Sequence, residues 1–402
     1  MHRLKVQKNL CRVKVSSVKM KHDAGLYVHI PFCDHKCIYC DFYSIIKDDN
    51  KTIYHNNLLK EINHFSSIYS NSHHFNTIYF GGGTPSLMEP EYLGSIISHL
   101  KEKFQISEDA EITMETNPGT VSFEKLKKFR EEGINRISIG IQSFDKKDLK
   151  FLTRIHTGEA AIKTVNDAYE AGFRNISIDL IFNLPGQTKR KWKKNLEIAT
   201  SLPITHISAY SLILEKGTIL NKMVLKGEVE MQDVEIDSQL YEITMDYFAD
   251  KGFEHYEVSN YCKPGYECKH NQIYWDCKNY LSFGTSAHSY MEGKRWWNFS
   301  ALTIYNSAVI NKDHAIAGSE ELTEHDLYEE YIMLGLRSRG LKIKIGENEP
   351  GILGIGSQAW YLERKAIIDQ LITTGKMVIE GDMLKLTRDG FLVCDEIVER
   401  LL

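Results

Sequence analysis

The chain has 402 residues, of which 42% are hydrophobic and 26% charged, and its mean hydropathy is -0.33. That is enough apolar material for a large α/β domain plus a smaller appendage, and it excludes a disorder-dominated chain. The net charge of -5 supplies no global basic field, which argues against nucleic acid as the main partner, and no apolar run reaches the about 18 residues that a membrane-spanning helix needs.

Residues 1–24 read as a basic, unstructured N-terminal extension. The first 21 carry seven Lys or Arg and no acid, without the continuous apolar segment of a secretory signal, and Met20 offers an alternative start. Six short runs rich in β-branched and aromatic residues follow: GLYVHIP (25–31), TIYFGGG (77–83), EITMET (111–116), RISIGIQSF (136–144), NISIDLIF (175–182) and HISAYSLIL (206–214). Between the first two, Tyr54, Leu58, Ile62 and Phe65 form the apolar stripe of an amphipathic helix. Later intervals repeat the pattern, and FEKLKKFREEG and AIKTVNDAYEAG end in the Gly expected just past a helix C-terminus. This alternation predicts parallel strands joined by helical crossovers, an α/β fold with a partial (β/α)6 barrel over residues 25–235. The unusual residues all follow strands: the cysteines the first, GGGTP the second, ETNPG the third, QSF the fourth and NLPGQT the fifth. Parallel α/β folds place their chemistry at those carboxyl ends.

After about residue 214 the alternation stops. A helix is expected around residues 234–251, and residues 236–305 form a barrel-adjacent segment containing HNQIYW. Residues 306–402 read as a C-terminal helical, winged-helix-like domain, with a hairpin turn at Gly381 and Asp382.

The eight cysteines are Cys11, Cys33, Cys37, Cys40, Cys262, Cys268, Cys277 and Cys394. In a long chain without an export signal, clustered cysteines suit metal rather than disulfides, and a reducing cytoplasm is expected. Three thiolates at C-x-x-x-C-x-x-C suit an iron–sulfur cubane with one iron left open to a ligand. A zinc ion completed by His29 or His35, or three ordinary thiols, are the alternatives. Cys262, Cys268 and Cys277 fit no cluster spacing and are expected to be buried thiols.

C-x-x-x-C-x-x-C after the first strand and GGGTP after the second together resemble the radical S-adenosylmethionine (SAM) superfamily. The resemblance implies a [4Fe-4S] cluster on Cys33, Cys37 and Cys40, with SAM chelated at the open iron. In that superfamily the reduced cluster cleaves the sulfonium and releases a 5'-deoxyadenosyl radical. LYVHIPFC, ETNPGT, IGIQSF, LTRIHT, DLIFNLPGQT and GTSAHS further resemble the oxygen-independent coproporphyrinogen III oxidase-like family, which includes the dehydrogenases and a sister group of heme chaperones. This implies that Tyr27, Tyr39, Gly82, Gly83, Thr84, Glu115, Gln142, Arg154 and Asp179 contact one or other of two SAM molecules. The dehydrogenases carry a further cysteine where this chain has Phe42, so CIYCDF sides with the chaperones. HNQIYW is similar to their heme-associated motif and implies heme contact by His270, Asn271, Tyr274 and Trp275. The implied function is reception of heme and its delivery to a respiratory cytochrome, with a low-potential electron donor as a second partner. A homodimer and peripheral membrane contact are compatible with it. The alternative is decarboxylation of two propionates of coproporphyrinogen III.

Overall fold

A strand that is apolar on both faces must be covered on both, and the intervening amphipathic helices supply one cover. In the computed structural model, which describes residues 22–46, 50–343 and 357–402, this produces six parallel strands in sequential order. They are β1 (His22–Ile30), β2 (His73–Gly82), β3 (Ile106–Thr116), β4 (Arg136–Gln142), β5 (Asn175–Phe182) and β6 (His206–Ser211). Crossovers run through α1 (Lys51–Tyr69), α2 (Pro90–Lys103), α3 (Phe123–Glu131), α4 (Gly158–Glu170) and α5 (Lys189–Ser201). The stripe of Tyr54, Leu58, Ile62 and Phe65 is buried, as its period requires. Ser122, Thr157 and Thr188 cap α3, α4 and α5 by accepting from the third backbone N–H of each helix. Gly133 and Gly172, just past α3 and α4, take positive φ angles of 103° and 99° that favour glycine.

The sheet is open and mixed, with twelve strands. Beyond α6 (Val234–Asp250), the strands β7 (Glu254–Glu257) and β8 (Asn260–Cys262) extend the β6 edge antiparallel. The short α7 (Lys269–Trp275) then leads to β9 (Asn279–Phe283), which returns to the opposite edge and pairs parallel with β1, from Ala24↔Asn279 to Val28↔Phe283. The parallel set therefore has seven members where periodicity counted six. Three antiparallel strands, β10 (His288–Met291), β11 (Lys294–Asn298) and β12 (Ile316–Glu321), complete that edge.

The C-terminal part has its own apolar cluster, including Ile332, Leu336, Trp360, Ile368, Leu384 and Leu401. Its antiparallel pair Met377–Glu380 and Met383–Leu386 turns at Gly381, whose φ of 64° suits the expected hairpin. Of the N-terminal extension, residues 1–21, with Cys11 and Met20, lie outside the described residues, while residues 22–24 already belong to β1. No helix among the described residues is long and apolar enough to cross a membrane.

Candidate functional site

The cysteine loop leaves the carboxyl end of β1 and is closed at its base by a two-residue parallel ladder, Phe32↔Ile45 and Cys33↔Ile46. Its middle is anchored by Ile38, the residue after Cys37, which packs with Leu152, Ile181, Leu184, Leu212 and Leu220. The Ile38 N–H donates to Thr153 Oγ1 at 3.3 Å, and its carbonyl accepts from the Leu220 N–H at 2.9 Å. A turn from the Cys40 N–H to the Cys37 carbonyl, at 3.2 Å, sets the spacing of the last two thiols. With the apolar residue pinned inward, Cys33, Cys37 and Cys40 all line one cavity of about 420 Å³ at the strands' carboxyl ends.

Eight of the nine residues expected to contact SAM line the same cavity: Tyr39, Gly82, Gly83, Thr84, Glu115, Gln142, Arg154 and Asp179. Gly82, with a φ of 108°, and Gly83 are required there. A Cβ on Gly82 would stand 2.4 Å from the His29 ring, and one on Gly83 2.7 Å from the Phe32 carbonyl. Glu115 accepts from Tyr79 Oη at 2.8 Å and from the Gly82 N–H at 3.2 Å. Burial, with the nearby Asp179 carboxylate adding to it, pushes its carboxyl up to about 7. Asp179 is likewise raised by burial, against hydrogen bonds from Ser208 and Ser138. Arg154 spans the cavity wall, donating to Cys37 Sγ at 3.5 Å, to Asn117 Oδ1 and to the Gly140 carbonyl. Gln142 projects from a backbone with φ of 69°, a left-handed conformation that strains a non-glycine residue.

Tyr27 is the ninth, and it does not line this cavity. It sits behind the Gly81 backbone, donating or accepting with His29 Nδ1 at 3.1 Å and stacking on Tyr79 with ring centroids 6.2 Å apart.

The donor set fits a cluster, and of the two histidines that could complete a zinc site only His35 lines the cavity with the cysteines. His29 is committed to Tyr27 and to the Tyr43 carbonyl, and burial lowers its imidazole to about 4. The three thiols share one cavity, and a cubane would take each thiolate on a different iron. Burial raises the Cys33 thiol and pushes that of Cys40 to about 11, so both need a bound cation to ionise near neutrality. Donors already face the sulfurs: Thr84 Oγ1 lies 3.5 Å from Cys33 Sγ, and Arg154 reaches Cys37. Among the described residues, the buried Arg154 Nε has no hydrogen-bond partner, leaving polar capacity for a ligand.

The HNQIYW residues occupy α7, against the inner sides of β1 and β2. His270 is buried, and both ring nitrogens are engaged: Nδ1 with Thr77 Oγ1 at 2.7 Å and Nε2 with Tyr274 Oη at 2.9 Å. Its ring stacks on Tyr79 at 4.9 Å, and burial lowers its pKa to about 3. Asn271 and Trp275 are half-buried, and neither lines the rim cavity. Tyr274 instead reaches a second cavity of about 280 Å³, together with Cys277, Tyr280, Tyr290 and Met333. Cys262 and Cys268 are buried thiols, Cys268 lying 3.7 Å from Glu111. Sequence reasoning passed over Tyr79, which anchors Glu115, and Asn117, which bridges Thr84 and Arg154. Asn117 lies within ETNPG, one residue past a strand end, and that position was its only signal.

Residues 27–199 match the family profile described as the Radical SAM superfamily. The chain is 33% identical over 378 residues to "Heme chaperone HemW" of Lactococcus lactis, covering 94% of this chain and 96% of that one. It is 35% identical over 312 residues to "Heme chaperone HemW" of Bacillus subtilis, covering 77% and 82%. Among solved structures, coproporphyrinogen III oxidase (HemN) from Escherichia coli superposes with a TM-score of 0.80 at 22% identity, over 95% of this chain and 90% of that one, a likeness of fold.

Proposed function

The chain belongs to the HemW family within the radical SAM superfamily, and from that premise we propose that it is a heme chaperone whose SAM-loaded cluster governs reception of heme and its delivery to a respiratory cytochrome. Cys33, Cys37 and Cys40 would hold the [4Fe-4S] cluster. Glycine backbone at Gly82 and Gly83, with Thr84, would meet the methionyl part of SAM, and Arg154 its carboxylate. Glu115, once ionised, can accept from both ribose hydroxyls, and Gln142 and Asp179 can bond the nucleoside. When bound, the cluster supplies the low-potential electron of radical SAM chemistry; the protein supplies placement and exclusion of water.

The convergence of all three cysteines and eight of these residues on one cavity carries the SAM part of the reading. The heme part is supported by the HemW relatives and by Phe42, which stands at the cavity edge where the dehydrogenase pattern has a cysteine. Within the motif we favour heme contact at Tyr274, which lines the second cavity, because both His270 ring nitrogens are already engaged. The test is anaerobic: the reconstituted protein with SAM and a low-potential reductant is offered heme and coproporphyrinogen III separately. Heme binding, read as a shifted Soret band, without protoporphyrinogen formation is the expected result. Substantial protoporphyrinogen, or no heme binding, overturns the chaperone reading.

A further inference from the structure

We propose that Asn117 is a positioning residue that sets the direction of the hydrogen bonds made to two of the three cluster thiolates. Its carboxamide stands between Thr84 and Arg154, and only one orientation satisfies both. A guanidinium has donors and no acceptor, so Oδ1 must face Arg154 and Nδ2 must face Thr84, where the separation from Oγ1 is 2.9 Å. The Thr84 hydroxyl is then an acceptor toward Asn117. Its own hydrogen is left for Cys33 Sγ, 3.5 Å away. On the other side, Asn117 and the Gly140 carbonyl together hold one guanidinium nitrogen, which leaves the other aimed at Cys37 Sγ, also at 3.5 Å. One amide thus connects Cys33 to Cys37 through Thr84 and Arg154, and both outer contacts end as donors to sulfur.

Hydrogen bonds to cluster sulfurs raise the reduction potential by stabilising the more negative state. Asn117 therefore tunes the cluster without touching it. Asn117→Asp keeps an acceptor for Arg154 but cannot donate to Thr84. The hydroxyl turns to the carboxylate, and Cys33 loses the Thr84 donor while keeping Ser44.

The inference rests on the cluster reading, and the experiment separates the two. Wild-type protein is reconstituted without SAM or heme, its iron content is measured, and the cluster midpoint potential is found by an EPR-monitored redox titration. Absence of a cluster in the wild type sinks the cluster reading itself. In Asn117→Asp the expected result is wild-type iron content with a tenfold lower reduced-to-oxidised ratio at fixed potential, a downward shift of about 59 mV for one electron. Thr84→Val removes the same hydroxyl without adding charge, so it must lower the midpoint as well, and it decides the matter if Asn117→Asp assembles no cluster. An unchanged midpoint in either assembled variant overturns the proposal.

Discussion

The two ends of the barrel use similar residues to opposite ends. At the rim, Arg154 shares its guanidinium among a thiol, an amide and a carbonyl and still leaves a buried nitrogen without a partner among the described residues, while Glu115 keeps oxygen lone pairs free beside an open cavity. At the other end, the His270 ring is closed on both nitrogens, stacked on Tyr79 and removed from solvent. Unspent hydrogen-bonding capacity beside a cavity marks a place built for a ligand, whereas a closed pair of bonds marks a place built for the fold. The difference teaches that a motif's residues need not share one role. Within HNQIYW, His270 is engaged on both ring nitrogens, and Tyr274 links it to the second cavity.

The sharpest way to break this comparison is His270→Ala. It removes one ring, leaves Thr77 and Tyr274 each short of a buried partner, and opens a void under Tyr79. Each of these losses is costly, and together they amount to about 3 kcal/mol. Thermal unfolding should therefore shift down by several degrees, and heme binding should weaken only as far as Tyr274 is disturbed. A variant that keeps its wild-type midpoint temperature yet loses heme altogether would mean that His270 is a ligand and that the two ends are not different in kind.

What could be read in advance follows the same divide. Strand and helix positions were legible because burial on a pleated or helical surface imposes a period, and the cysteines because ligand spacing is local in sequence. The rim motifs GGGTP and ETNPG were legible at strand ends, whereas Tyr39, Arg154 and Asp179 were legible only through the family resemblance. The partner that closes His270 was not: Thr77 lies 193 positions away, and nothing in HNQIYW points to it. β9 was hidden for a related reason, since NYLSF is short, sits in an aromatic stretch, and finds its place only by pairing with a strand some 250 residues earlier. Asn117 was in view but carried no distinguishing mark, because Asn before Pro-Gly reads as ordinary turn chemistry.

A smaller effect sharpens the comparison at the rim. The Glu115 carboxyl is raised from its ordinary value of 4.5 to about 7, mainly by burial. Below pH 7 it is therefore mostly protonated and can accept fewer ribose hydroxyls; above pH 7 it is ionised. SAM affinity of the cluster-loaded protein should rise by up to about tenfold between pH 6 and pH 8, as the ionised fraction of Glu115 climbs from about one tenth to about nine tenths. The slope should vanish in Glu115→Gln, whose amide does not titrate in this range. The same shift makes the folded chain bind more protons than the unfolded one between about pH 4.5 and pH 7. This group's contribution to stability is thus full below 4.5 and lost as pH rises through 7. Isothermal titration at three pH values checks the first expectation, and a flat affinity in the wild type contradicts it.

The smallest effect concerns Phe42, the residue on which the choice between chaperone and dehydrogenase turned. Its side chain is 63% exposed at the edge of the rim cavity, beyond the last cluster cysteine. A large apolar group left mostly in water contributes little to folding, so Phe42→Cys should change stability by no more than about 0.5 kcal/mol. The three ligands keep their ladder, their turn and the buried Ile38 anchor, none of which involves the Phe42 side chain. Iron content and cluster absorption should therefore match the wild type. Nor should the added thiol create coproporphyrinogen turnover, because one cysteine at the rim does not supply the contacts that hold a tetracarboxylate substrate. Phe42 would then be a mark of descent whose chemical effect is close to nil. Measurable protoporphyrinogen formation by Phe42→Cys would reverse that conclusion and make this one position the functional boundary between the two groups.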